Sequence, residues 1–131
     1  MLSSVLQDVG ARVLLIDDDA DSREIYRHVL EWVQFEVETA SNGRAGIRAA
    51  VTRPPDLIFL DLDMPGLSGV DVLRQLRANP TTAHVPIAAL TGAPELLDQI
   101  VDVRFDAVIA KPALDDQLTS VARRLTAAAG I

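Results

Sequence analysis

The chain has 131 residues, 49% of them apolar, which suits one compact domain with a single core. Lys and Arg together number 12 against 19 Asp and Glu, a formal charge of −7 that disfavours direct contact with nucleic acid or an anionic membrane. With no cysteine, disulfides, thiol catalysis and thiolate metal sites are excluded.

Met1 to Gly10 carries Asp8 and no Lys or Arg, so it lacks the charged start and apolar run of a secretion signal. No apolar run elsewhere reaches the length of a membrane span. A soluble, cytoplasmic protein is expected. Short runs rich in Val, Ile and Leu recur along the chain, each followed by a polar turn and a segment of helical spacing, giving five strand-helix units.

The first strand is predicted at about residues 12–16. Val13, Leu14, Leu15 and Ile16 do not alternate with polar residues, so both faces of this strand must be covered, as in a parallel sheet between helices. The helix after it is expected to open at Asp21, with Glu24 three positions on as in a capping box, and to turn Ile25, Val29, Leu30 and Val33 inward. Trp32 reads as a packing residue and His28 as lying on a wet helix face. A second strand follows at about 35–39 and a helix at about 42–52.

After Pro54 and Pro55 comes the third strand, at about 56–60, where Leu57, Ile58, Phe59 and Leu60 are again continuously apolar. The Pro65-Gly66 turn leads to a helix at about 68–78, and Pro80 closes that unit. The last two strands fall at about 86–90 and 105–110, with a helix at about 94–102 between them. Phe105 reads as a packing residue, and His84 lies in a loop; neither histidine is given a phospho-carrier role. The final helix turns Leu114, Leu118, Val121 and Leu125 inward and leaves Asp115, Asp116, Arg123 and Arg124 wet.

Four of the five strands end in a polar or charged residue just where the apolar run stops: Asp17 with Asp18, Asp61, Thr91 and Lys111. Right-handed crossovers bring those ends to one edge of a parallel sheet, where such sheets bind their ligands. Two carboxylates about 4 Å apart at an effective dielectric of about 20 repel by roughly 4 kcal/mol. Either one acid holds its proton with a raised pKa or a cation sits among them, and hard oxygen ligands suit Mg²⁺.

Phosphoryl transfer needs a placed nucleophile, a divalent cation and donors for the equatorial oxygens. Asp61 is assigned as nucleophile, Asp17 and Asp18 as metal carriers, Lys111 as the cation for the phosphoryl group and Thr91 as a hydroxyl donor to it. Taken singly, an Asp at a strand end is a turn former and a Lys before Pro a snorkelling surface residue. Asp19 and Asp21 are read in that plainer way, as turn and cap residues.

Arg12-Val-Leu-Leu-Ile-Asp17-Asp18-Asp19, Pro55-Asp-Leu-Ile-Phe-Leu-Asp61-Leu-Asp-Met-Pro65-Gly66-Leu-Ser-Gly69, Pro86-Ile-Ala-Ala-Leu-Thr91-Gly92 and Lys111-Pro112 stand in this order along the chain. Together they resemble the bacterial response-regulator receivers of the chemotaxis type, over nearly the whole length from about Arg12 to Leu125. The resemblance implies a flavodoxin-like α/β fold, a doubly wound five-stranded parallel sheet of order 2-1-3-4-5 with helices on both faces. Residues 11–128 are then the receiver and 1–10 an N-terminal extension.

It also implies Mg²⁺ held by Asp17, Asp18 and Asp61 with the backbone carbonyl of Asp63, Asp61 as phosphoacceptor, and a cis bond before Pro112. The expected partners are a histidine kinase or histidine phosphotransfer protein and an unknown downstream protein, with no direct nucleic-acid or membrane contact. Such a receiver is no enzyme in the usual sense and catalyses only its own phosphorylation and dephosphorylation.

Three departures from the family pattern stand out. Val108 occupies the position where a ring is usual, three residues before the lysine, so a Tyr-type rotamer switch is absent. The stretch from Thr91 to Lys111 is about two residues short, and Arg104 replaces a common turn glycine, so the fourth helical segment should be short or irregular. Two rivals compete. A degenerate receiver would act as an unphosphorylated interaction module. A haloacid dehalogenase-type phosphatase would use Asp61-Leu-Asp63, but that family wants the motif after its first strand and a cap domain for which there is no room.

Overall fold

In the computed structural model, which describes residues 10–129, five strands and four α-helices alternate. They are β1 (Arg12–Ile16), α1 (Ala20–Trp32), β2 (Glu36–Ala40), α2 (Gly43–Thr52), β3 (Leu57–Asp61), α3 (Gly69–Ala78), β4 (Ile87–Thr91), β5 (Ala107–Ala110) and α4 (Asp115–Ala129), with a 3-10 segment at Pro94–Gln99. The expected extension at 1–10 lies, except for Gly10, outside the described residues. Among the described residues no helix is long and apolar enough to cross a membrane.

All five strands are parallel and ordered β2-β1-β3-β4-β5. The continuous apolar runs divide by pleat. Val13, Leu15, Leu57 and Phe59 face α1 and α4, where they meet Tyr26, Leu30, Leu118 and Ala122. Leu14, Ile16, Ile58 and Leu60 face the other way, onto Ala50 of α2 and Val72, Leu73 and Leu76 of α3. Each of these fully buried Leu, Ile or Phe side chains contributes roughly 1.5–3 kcal/mol of transfer free energy, so the sheet is held from both sides.

The first helix departs from its expected form. Its cap is Asp19, whose carboxylate accepts from the Ser22 N–H at 3.0 Å, and Asp21 lies inside the first turn. The cap works because Asp19 keeps extended backbone and satisfies an amide that has no partner one turn back. Glu24 turns instead to Arg27. Ile25 is exposed and Tyr26 takes the inward place beside Leu30, while Val29 and Val33 pack at the margin of the core.

Trp32 is 86% exposed and Leu114 62%, so neither packs as expected; Phe105 does, against the α2–α3 side. An apolar residue at the end of a helix escapes burial when its turn runs past the sheet edge, which helical spacing alone does not reveal.

The chain leaves α1 through a Schellman turn: Gln34 donates to the Glu31 carbonyl at 3.0 Å and Phe35 to that of Leu30 at 3.2 Å. Gln34 holds φ at +80°, a left-handed conformation that strains a residue with a Cβ. Gln34→Gly is expected to raise stability by about 0.5–1 kcal/mol, read as a higher urea midpoint with unchanged slope.

The segment expected as a helix at 94–102 is only the 3-10 helix Pro94–Gln99, followed by irregular chain up to β5. Side chains of α3 hold that chain down: Arg74 pairs with both oxygens of Asp102 at 2.8 and 3.2 Å, and Arg77 reaches Asp106 at 2.8 Å and the Val85 carbonyl at 2.6 Å. Two 3-10 turns are what the shortened connection leaves room for.

Candidate functional site

Register brings the strand ends together. Ile16 pairs with Leu60, Asp61 with Leu90 and Thr91 with Ala110, so the residue after each run lies on the same edge. The strand ladders continue one step further: Asp17 N–H donates to Ala40 at 3.0 Å, Leu62 to Leu90 at 2.9 Å and Lys111 to Thr91 at 2.8 Å. Order reverses between β1 and β3, and Asp17, Asp18 and Asp61 flank that point.

One oxygen from each of Asp17, Asp18 and Asp61 lies within 4.8 Å of the other two. Asp17 and Asp61 are buried and Asp18 is exposed. Oδ1 of Asp17 accepts the Asp19 N–H at 2.9 Å, while its Oδ2 is buried with no hydrogen-bond partner. Arg23 fixes the loop by donating to the Asp17 carbonyl at 2.9 Å.

Burial raises the Asp17 carboxyl to about 7, helped by the negative charge of Asp61 and only partly opposed by the Asp19 amide. An orphaned buried carboxylate oxygen costs about 1–3 kcal/mol unless it finds a proton or a cation. Three convergent hard oxygens, one of them without a partner, fit Mg²⁺.

Asp61 ends β3, and its Oδ1 accepts from Lys111 Nζ at 2.6 Å and from the Asp63 N–H at 2.9 Å. Its Oδ2 is engaged by neither. Gly69 lets the start of α3 close over this strand end, because a Cβ there would stand 2.7 Å from Leu62 Cα and 3.0 Å from the Asp61 carbonyl oxygen. Lys111 is carried in by the β4–β5 pairing, and the bond between it and Pro112 is cis, as the resemblance implied. Burial opposes the charge on Lys111, but Asp61 and Asp63 outweigh it and raise the ammonium's pKa.

Thr91 is buried at the end of β4. Its Oγ1 accepts the Ala93 N–H at 3.0 Å and lies 3.4 Å from Asp63 Oδ1, so a turn-forming role and a place in the site coexist. The Asp63 carboxylate stands outside the acid trio. It accepts from the Gly92 N–H at 2.9 Å and lies 3.4 Å from Lys111 Nζ. Burial pushes its pKa up, yet the Gly92 bond, Lys111 and Thr91 together hold it below the usual value.

Asp17, Asp18, Asp61, Thr91 and Lys111 thus share this edge, with the Asp63 side chain against Thr91 and Lys111, and three further contributors have no signal in the sequence. The Gly92 amide has no side-chain signature, Arg23 acts through a backbone carbonyl, and the direction of the Asp63 side chain depends on where β4 ends.

A family model for the response regulator receiver domain matches residues 13–123. The chain belongs to the response-regulator receiver family. This receiver is similar to the phosphate regulon transcriptional regulatory protein PhoB of Pseudomonas aeruginosa, 37% identical over 106 residues, which cover 79% of the receiver chain and 46% of PhoB. It is 37% identical over 121 residues to the transcriptional regulatory protein KdpE of Mycobacterium tuberculosis, covering 89% of the receiver and 53% of KdpE. The receiver thus spans about half the length of these curated relatives.

Among solved structures, the receiver matches the chemotaxis response regulator CheY4 of Vibrio cholerae with a TM-score of 0.82 and 28% identity, over 89% of this chain and 99% of that one. It matches the receiver domain of the sensor histidine kinase PA1611 of Pseudomonas aeruginosa with a TM-score of 0.83 and 25% identity, over 91% and 99% of the two chains. That neighbour holds a magnesium ion coordinated in its active-site cleft. The flavodoxin-like fold and a place among two-component response regulators follow for this chain.

Proposed function

We propose that this receiver is a phosphoacceptor whose Asp61 takes a phosphoryl group, in the presence of Mg²⁺, from a histidine kinase or histidine phosphotransfer protein. The observation that carries it is a buried Asp61 flanked by Asp17 and Asp18 on one side and by Lys111 at 2.6 Å on the other. A carboxylate fixed between a group of acids able to hold a cation and an ammonium suits in-line displacement at phosphorus, which needs a placed nucleophile and positive charge for the phosphoryl oxygens. Mg²⁺ would be held by Asp17, Asp18 and Asp61, with the Asp63 backbone carbonyl as a further oxygen. Bound there, it offsets the charge of the acids and of the phosphoryl oxygens.

A carboxylate oxygen of Asp61 attacks phosphorus; the new O–P bond forms as the P–N bond to the donor imidazole breaks, and the imidazole nitrogen keeps the electron pair. Lys111 and Thr91 then meet phosphoryl oxygens as donors. The chain catalyses only this transfer and the later hydrolysis. It acts in the cytoplasm with residues 11–128 as the receiver and 1–10 as an extension, and it signals by protein contact without touching nucleic acid or membrane.

The test is incubation with Mg²⁺ and acetyl phosphate followed by mass measurement of the intact protein. Wild type is expected to gain one phosphoryl group, with no gain when Mg²⁺ is chelated and none in Asp61→Asn. A gain that persists in Asp61→Asn would overturn the assignment, and no gain in wild type from either acetyl phosphate or a phosphorylated histidine donor would make the chain an unphosphorylated interaction module.

A further inference from the structure

The carboxylate of Asp63 lies against Thr91 and Lys111, the two donors proposed for the phosphoryl group, and is held there by the Gly92 amide. Its Oδ2 accepts the Gly92 N–H at 2.9 Å and lies 3.4 Å from Lys111 Nζ, and its Oδ1 lies 3.4 Å from the Thr91 hydroxyl. Lys111 at the same time donates to Asp61 at 2.6 Å, so the two carboxylates share one ammonium. An anion beside Asp61 would find no other hydroxyl or ammonium here among the contacts of Asp61 and Asp63.

We infer that Asp63 is an internal occupant of the receiver's anion-binding donor set, a built-in carboxylate that an incoming phosphoryl group must displace. The inference rests on the phosphoacceptor reading of Asp61. Its physical basis is competition. The Gly92 bond is of ordinary length and charge-assisted, whereas the Thr91 and Lys111 separations are at the outer edge of hydrogen bonding, so the carboxylate holds one donor firmly and the others loosely.

A second negative charge within a few ångströms of an arriving anion also repels it. Displacement is feasible because the Asp63 side chain is half-exposed and can swing into solvent, where its desolvation is relieved. Asp63 is thus a specificity-determining residue for the transfer. It lowers the affinity of the site for small anionic phosphodonors, which bring no binding surface of their own, more than for a protein donor.

Beryllofluoride, an anion that caps a carboxylate as a phosphoryl group does, is the probe. It is titrated with Mg²⁺ present into wild type, Asp63→Ala and Asp63→Asn, with Asp61→Asn as the control that should not bind. Asp63→Ala is expected to bind about three- to tenfold more tightly than wild type, as freed charge-assisted donors and a removed like charge would give, and Asp63→Asn to fall between them. In the metal-free protein the Gly92 amide proton should move upfield in Asp63→Ala, a shift that reports the lost bond independently of any ligand.

Equal or weaker binding by Asp63→Ala, with wild type binding and Asp61→Asn not, would overturn this inference and leave the phosphoacceptor reading standing. An unmoved Gly92 amide would overturn it as well. Binding by none of the proteins would take down both. Should Asp63→Ala fold poorly, the charge-only variant Asp63→Asn carries the same comparison.

Discussion

Asp18→Ala is expected to lower Mg²⁺ affinity by at least about 100-fold while leaving the metal-free protein as stable as wild type or more so. One unit charge at about 4 Å and an effective dielectric of about 20 interacts by roughly 4 kcal/mol, and the proposed cation would be held through three such oxygens. Taking one away removes a direct ligand. Without the cation the same three oxygens repel one another, and Asp18, exposed at the rim of the trio, only adds to that repulsion. Calorimetric titration with MgCl₂ and urea unfolding in EDTA give the two readings. Marked destabilisation of the metal-free variant would mean that Asp18 holds the loop together and is no metal carrier.

The metal-free protein should lose stability as pH rises from about 4 to 8, the reverse of the behaviour of an ordinary ion-paired carboxylate. Asp17 has its folded pKa raised from 3.8 to about 7, mainly by burial, so the folded state binds the extra proton across that interval. The stability this proton brings is fully present below the unfolded value and is lost as pH climbs through about 7. A shift of this size corresponds to a few kcal/mol.

Urea midpoints in EDTA should therefore fall between pH 5 and pH 8, and millimolar Mg²⁺ should restore much of the loss at pH 8 by replacing the proton. Asp17→Asn keeps an oxygen for the Asp19 amide but has no proton to lose. Its midpoint should be nearly flat over the same range. A wild-type midpoint that rises with pH, or an equal slope in Asp17→Asn, would contradict the buried, uncompensated carboxylate.

How much of this was legible in the residues differs by feature. Continuous apolar runs at Val13–Ile16 and Leu57–Leu60 demanded cover on both faces, and the two core layers supply it. The strand-end residues carried the site, because parallel register leaves little freedom once the strands are placed: Asp17, Asp61, Thr91 and Lys111 all reach one edge.

Other features hid for physical reasons. Asp19 and Asp21 are equally good caps by type, and only the φ and ψ of Asp19 and its bond to Ser22 decide between them. Val29, Leu30 and Val33 face inward as their spacing requires, but in the turn before them Tyr26, not Ile25, takes the buried place, a choice that spacing leaves open because both positions border the same face. Periodicity cannot tell a helix-end Trp32 that reaches past its neighbours from one that packs. The missing fourth helix was legible as a short connection, but its anchoring by Arg74 and Arg77 to Asp102 and Asp106 joins residues far apart in the chain. The Asp63 side chain belongs to the same class: its partner is a backbone amide on another strand end.

The claim on which the account stands is that a phosphoryl group goes to Asp61 and to no other side chain. Borohydride reduction of the protein after exposure to Mg²⁺ and acetyl phosphate converts an acyl phosphate to an alcohol and so marks the residue that carried it. Peptide mass mapping should find that mark at Asp61 alone, and only in samples that held Mg²⁺. A mark at Asp63, Asp17 or Asp18, or phosphate retained on His28 or His84 with no reduced carboxylate anywhere, would contradict it.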